Sequence, residues 1–233
     1  NSPRIVGGDD VTPHELPYQL LVMVRQVGTD GGTFCGGVAL KSNFILTAAH
    51  CTVGADPNHI LVIGGVHELM NKFETTRQAT EGVRNIIHPN YFADPSKGII
   101  RNDISIVKVS PSLRFNSYIQ PIKLSTSRTS SGAKSGIISG WGCTNQNMDK
   151  CKGTENGLHL PTVLQKLNVS IWTDVRCKDK LRGVQILDSH ICVGGLESEG
   201  ACLGDSGGPL VGVENGHKFL QLDHRCREKT LPC

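Results

Sequence analysis

The chain has 233 residues, enough to bury a large core as one domain or as two small ones. Its 24 basic and 21 acidic residues give a formal net charge of +3 with no dense Lys/Arg block, which argues against a nucleic-acid binder. No apolar run reaches the roughly 18 residues of a membrane-spanning helix, and no signal-peptide pattern opens the sequence, so a mature form or a proform is expected.

In chain order, short apolar and β-branched runs come first: "LLVMV" at 20–24, "ILVIG" at 60–64 and "DISIVKV" at 103–109. The second half adds "SGIISGW" at 135–141, "LQKLNVSIW" at 164–172 and "GPLVGV" at 208–213. Clusters of Gly, Pro, Asn and Asp separate them. Many short strands with such punctuation predict an all-β sandwich or barrel. One segment, "TDVRCKDKL" at 173–181, predicts a short helix. The Ser/Thr-rich end of "SLRFNSYIQPIKLSTSRTSSG" marks a linker near mid-chain.

There are nine cysteines, and none form a CxxC pair, which argues against zinc and thioredoxin chemistry. Scattered cysteines at this density predict disulfides made in an oxidising compartment. The odd count leaves at least one thiol without an intrachain partner. The sequon Asn168-Val169-Ser170 fits a secreted glycoprotein.

Chemistry concentrates in "GACLGDSGGPLVG" at 200–212. Ser206 lies among Gly204, Gly207 and Gly208, with Asp205 immediately before it. Glycines allow turns that side chains forbid and let another backbone or a ligand come close. The setting suits either a tight surface turn or a nucleophile whose neighbouring N–H groups face a substrate. A serine hydroxyl attacks poorly until a base removes its proton, and that base is usually a histidine held by a carboxylate. His50 stands in "LTAAHC", between small alanines and a cysteine able to staple its backbone. Asp103 heads an alternating strand in "RNDISIVKV", at the rim of a barrel.

Together, "IVGG" at 5–8, "TAAHC" at 47–51, "NDISIVKV" at 102–109, "SGWG" at 139–142 and "GDSGGPL" at 204–210 resemble the trypsin/chymotrypsin family of serine endopeptidases. They follow that family's order of His, Asp and Ser. The resemblance implies two six-stranded antiparallel β-barrels with the active site in the cleft between them. Its division is a propeptide remnant at 1–4, an N-terminal barrel over 5–120 and a C-terminal barrel over 121–233. It implies a secreted, zymogen-activated endopeptidase without cofactors that acts on protein or peptide substrates and meets protein protease inhibitors. His50 would serve as general base then acid, Asp103 would orient it, and Ser206 would attack. The N–H groups of Gly204 and Ser206 would form the oxyanion hole. Cleavage between Arg4 and Ile5 would free an ammonium to pair with Asp205, so the chain as written would be a zymogen. The implied disulfides are Cys35–Cys51, Cys143–Cys151, Cys177–Cys192 and Cys202–Cys226. Cys233 is left over and free to join another chain.

Some positions depart from the family pattern. Gly136 and Gly212 stand where the family often places a disulfide joining two strands. Gly200, six residues before the nucleophile, replaces the aspartate that attracts Lys or Arg, and Ala201 follows it. With Asp223 these form the expected specificity pocket, whose uncharged floor suits apolar residues before the scissile bond. The final "FLQLDHRCREKTLPC" is shorter than the family's end, so the last strand and C-terminal helix are expected to be missing and the second barrel incomplete. Two readings follow: a working endopeptidase with a remodelled end, or an impaired homologue that acts by binding. A calcium loop of the family aligns roughly with His67, Glu74 and Arg77. One carboxylate is too few for the 6–8 oxygens of Ca²⁺, so no metal is expected.

Overall fold

The computed structural model describes residues 5–25, 32–94, 96, 99–125, 135–144, 151, 160–182, 186–187, 190–194, 199–214, 217–220 and 224–226. Strands dominate. The first half contains β1 (Asp9–Asp10), β2 (Gln19–Arg25), β3 (Gly32–Lys41), β4 (Phe44–Thr47), β5 (Ile60–Gly64), β6 (Gln78–Ile87), β7 (Phe92–Asp94), β8 (Ile99–Arg101) and β9 (Ser105–Ser110). The second contains β10 (Ser135–Gly140), β11 (Gln165–Ile171), β12 (His190–Gly194), β13 (Leu210–Glu214), β14 (His217–Leu220) and β15 (His224–Cys226). Among the described residues there are two short α-helices, α1 (Ala49–Thr52) and α2 (Asp174–Lys180), and two 3-10 turns at Ile5–Gly7 and Pro57–His59. Helix α2 starts at Thr173, whose hydroxyl accepts the N–H of Arg176 and so satisfies a donor the first turn cannot.

Strands β2-β3-β4-β9-β6-β5 close into a barrel. Alternation along β2 explains its packing. Leu20 and Val22 point into the barrel with Ile45, Val62 and Val107. Leu21, on the opposite face, packs with Val211 and Leu220 of the second half. The core between the halves is therefore built from the barrel's outer face. The second sheet runs β14-β13-β10-β11-β12-β15, with β1 added on β11. Strands β10 and β13 pair so that Gly136 lies opposite Gly212. The two glycines expected to replace a cross-strand disulfide are thus register partners. Strand β15 joins β12 in parallel, and among the described residues this sheet does not close. Together the closed barrel and the second sheet make the all-β, two-barrel fold. Strand β1 crosses from the first half, and Asp10 there accepts a hydrogen bond from Gln165 at 2.7 Å.

The strands read from hydrophobic runs agree with β2, β5, β9, β10, β11 and β13. The strand after Asp103 starts two residues later than the aspartate, at Ser105. Disulfides join Cys35 to Cys51, Cys143 to Cys151 and Cys177 to Cys192. Cys202 is disulfide-bonded too; the side chain of Cys226 and all of Cys233 lie outside the described residues.

Candidate active site

His50 sits on α1, a single turn fixed from both ends. Thr47 donates its hydroxyl to the Gly36 carbonyl at 2.8 Å. Cys51 is stapled to Cys35 on β3. Beneath the turn, the Ser105 hydroxyl donates to the Ala48 carbonyl at 3.2 Å, and the Thr52 and Ser105 hydroxyls lie 2.9 Å apart. The side-chain amide of Asn85 donates to the Thr52 carbonyl at 2.8 Å. The helix cannot rotate without breaking these bonds.

Asp103 meets His50 twice. Its Oδ1 accepts the His50 backbone N–H at 2.7 Å, and its Oδ2 stands 2.5 Å from His50 Nδ1. The Asp103 side chain is fully buried, while that of His50 is 38% exposed. A carboxylate at Nδ1 holds the Nδ1–H tautomer and leaves Nε2 as the free base. Burial and the Asp103 charge together push the Tyr91 hydroxyl above its ordinary pKa, burial contributing more.

The serine loop comes from the second half and is tied to the first through Gly36. The Gly36 N–H donates to the Ser206 carbonyl at 2.7 Å. His50 Nε2 and the Ser206 carbonyl oxygen lie 3.7 and 3.8 Å from one atom, Cys51 Sγ. The three expected triad residues are therefore gathered in one region between the halves. Gly204 and Gly207 carry φ of 98° and 76°, the left-handed region that glycine enters without strain. A Cβ on Gly207 would fall on the Thr47 hydroxyl and 2.7 Å from the Gly36 carbonyl oxygen.

Asp205 is 2% exposed. Its Oδ1 accepts the Gly142 N–H at 2.8 Å and its Oδ2 the Cys202 N–H at 2.9 Å. Any Cβ on Gly140 or Gly142 would collide with the carboxylate, which explains the glycines on both sides of Trp141. Ile5 is fully buried against Ile138, Leu167, Val169 and Leu210, and Ala201 packs on the same cluster. Gly200 donates its N–H to the Val6 carbonyl at 3.0 Å. Asp223 and Arg4 lie outside the described residues.

Neither candidate cation site fits a metal. Cys35, His50 and Cys51 bring three potential donor atoms together, but both sulfurs are spent in a disulfide. In the loop after β5, both oxygens of Glu74 accept the His67 N–H, at 2.9 and 3.1 Å, and Arg77 donates to the Leu69 carbonyl at 3.3 Å. A guanidinium and a committed carboxylate leave too few oxygens for Ca²⁺. Sequence reasoning missed Gly36 and Asn102. Gly36 hid in "CGGVAL", whose two glycines gave no hint that one would meet the serine loop. Asn102 gave a signal, an asparagine before an acid at a strand start.

A two-barrel β fold with a carboxylate-bonded histidine and a glycine-flanked serine gathered where its two sheets meet points to the class of serine endopeptidases. The Trypsin family profile matches residues 5–221. The chain is 35% identical to trypsin-1 of Astacus astacus over 93% of this chain and 86% of that protein. It is 34% identical to chymotrypsin-2 of Vespa crabro, over 95% and 89%. With the fibrinolytic enzyme isozyme C of Lumbricus rubellus the identity is 36%, over 93% and 85%. The chain belongs to the trypsin family; it is a serine protease, a hydrolase of protein substrates.

Proposed function

We propose that this chain cleaves peptide bonds through Ser206, His50 and Asp103 by way of an acyl-enzyme. Ser206 Oγ forms a bond to the scissile carbonyl carbon as its proton passes to His50 Nε2. The imidazolium, stabilised by Asp103, then gives that proton to the departing amine as the C–N bond breaks. Water repeats the cycle, losing a proton to Nε2 and releasing the acid and the serine. The N–H groups of Gly204 and Ser206 hold the oxyanion; one such donor contributes about 10²–10³ in rate. The observation that carries the reading is the double contact of Asp103 with His50, which turns an ordinary histidine into an oriented base.

We further infer that cleavage after Arg4 activates the enzyme, the new Ile5 ammonium pairing with Asp205. The burial of both residues supports it. The amine has a pKa near 7.7–8.0 when free. Pairing raises it, so the active form is complete below the free value and lost as pH rises through the raised one. The residue before the scissile bond is apolar, since Gly200 and Ala201 bring no charge to the pocket. The division near residue 120 is part of this reading; that β2–β6 and β9 form the barrel while β10–β15 lie in the second sheet supports it. Disulfide use supports a secreted enzyme, and Cys233 and protein inhibitors supply its expected further partners. A fluorophosphonate probe tests the reading. Cut protein should label stoichiometrically and Ser206→Ala not at all; equal labelling of both would reject it.

A further inference from the structure

We propose that Asn102 is a positioning residue that sets the Asp103 carboxylate against His50. The inference rests on the triad reading above. Asn102 has φ of 49°, a left-handed conformation that asparagine tolerates and most side chains do not. This twist turns the chain sharply ahead of β9, and the Ile104 N–H closes the turn on the Asn102 carbonyl at 2.8 Å.

The side chain adds a second constraint. Asn102 Nδ2 donates to the Asn90 carbonyl at 2.8 Å. The segment it grips is itself fixed. The His88 N–H reaches the Ile104 carbonyl at 3.1 Å, and the Tyr91 N–H reaches the His88 carbonyl at 2.9 Å. The Asn90 N–H donates to His88 Nδ1 at 3.1 Å. Residues 88–91 and 102–104 therefore form one hydrogen-bonded unit, and Asn102 supplies both its kink and its cross-link.

The residue that follows is Asp103. Its carboxylate hangs on two rotatable bonds yet makes two simultaneous contacts with His50. Both can persist only if the backbone at 103 is held, because a displacement of about 1 Å in a catalytic constellation can cost 10²-fold in rate. His50 is fixed from its own side by Thr47, Cys51 and the Ser105 network; Asn102 performs that service for the carboxylate.

Three variants separate this role from simple folding. Asn102→Gly keeps the left-handed freedom and loses the amide. Asn102→Asp keeps much of that tolerance but sets an acceptor against the Asn90 carbonyl. Asn102→Ala loses both features. Two readouts apply: kcat and KM per fluorophosphonate-titrated site, and the low-field proton resonance of the His50 Nδ1–H, which needs no turnover. We expect kcat per site to fall about 10-fold in Asn102→Gly and up to about 10²-fold in Asn102→Ala, with KM within twofold. The resonance should shift upfield or broaden in the same order. Wild-type kcat per site and an unmoved resonance in Asn102→Ala or, should that variant not fold, in Asn102→Gly would overturn the proposal. A wild type that refuses the probe sinks the triad reading, while the resonance still decides whether Asn102 holds Asp103 on His50.

Discussion

Replacing Asp205 gives the sharpest test of how the second half is held together. Its two carboxylate oxygens accept the N–H groups of Gly142 and Cys202 at 2.8 and 2.9 Å, out of reach of water. In Asp205→Ala both N–H groups lose their acceptor, at about 1–3 kcal/mol each. Gly140 and Gly142, which bear no side chains, cannot fill the void. A loss of about 2–6 kcal/mol follows, or roughly 4–24 °C in Tm at about 2–4 °C per kcal/mol for a chain of this size. Asp205→Asn keeps the shape but turns one oxygen into a donor that faces another donor. Its cost should be smaller, about 2–4 kcal/mol. Urea unfolding followed by the fluorescence of Trp141 and Trp172 measures both, on cut and uncut protein. If the Ile5 ammonium pairs with Asp205, cutting stabilises the wild type and leaves Asp205→Ala unchanged. An Asp205→Ala protein within 1 kcal/mol of wild type, or one that still gains from cutting, would refute the reasoning.

Asp103→Asn should lower kcat by about 10⁴, since an amide in that place no longer enforces the Nδ1–H tautomer of His50; steady-state assays on active-site-titrated enzyme check it. Gly207→Ala should cost about 2–4 kcal/mol, from a left-handed φ of 76° and from overlap with the Thr47 hydroxyl and the Gly36 carbonyl. It should also depress kcat by moving Ser206, and a variant as active and as stable as wild type would contradict the packing described. Burial first, and the neighbouring Arg101 charge after it, lower the pKa of His190, although the Ile100 backbone acts the other way. The folded state then takes up a proton less readily than the unfolded one. Its contribution to stability is complete above the ordinary histidine value of about 6.5 and is lost as pH falls from there through the lowered pKa. Urea midpoints between pH 7 and 5 should fall in the wild type and flatten in His190→Gln.

The residues that announced themselves in the sequence did so through local chemistry. Continuous apolar runs marked β2 and β5, which are buried on both faces, and alternation marked β9, whose burial alternates. Ser206, His50 and Asp103 stood out as candidates because each is embedded in small or β-forming residues that suit a fixed loop. Strand β3 was not legible. Its "GTFCGGVALK" carries three glycines, which lower strand propensity, and they are there because a neighbour needs the space. Gly36 meets the backbone of Gly208, where a Cβ would lie 2.6 Å from the Cα, and Gly37 sits under Val22. Strand β6 hid for a different reason. Its "QATEGVRNII" is exposed at several positions and owes its conformation to pairing with β5 and β9. Such information is tertiary, so a reading of periodicity passes over it.

Gly36 also links the two halves at the candidate site. Its carbonyl accepts the Thr47 hydroxyl, three residues before the histidine, while its N–H donates to the carbonyl of Ser206 itself. One peptide unit thus ties the turn that carries His50 in the first half to the Ser206 backbone in the second. The buried Ser139 hydroxyl, which donates to Gln19 Oε1 at 2.7 Å, repeats the device next to it. Apolar packing between the barrel's outer face and Val211 and Leu220 supplies most of the cohesion, but such packing is non-directional and would tolerate a sliding offset. Hydrogen bonds at fixed length do not. The placement of the Ser206 loop against the His50 turn therefore falls on these few polar links, and the glycines at 36, 207 and 208 are what let the two backbones come close enough to make them.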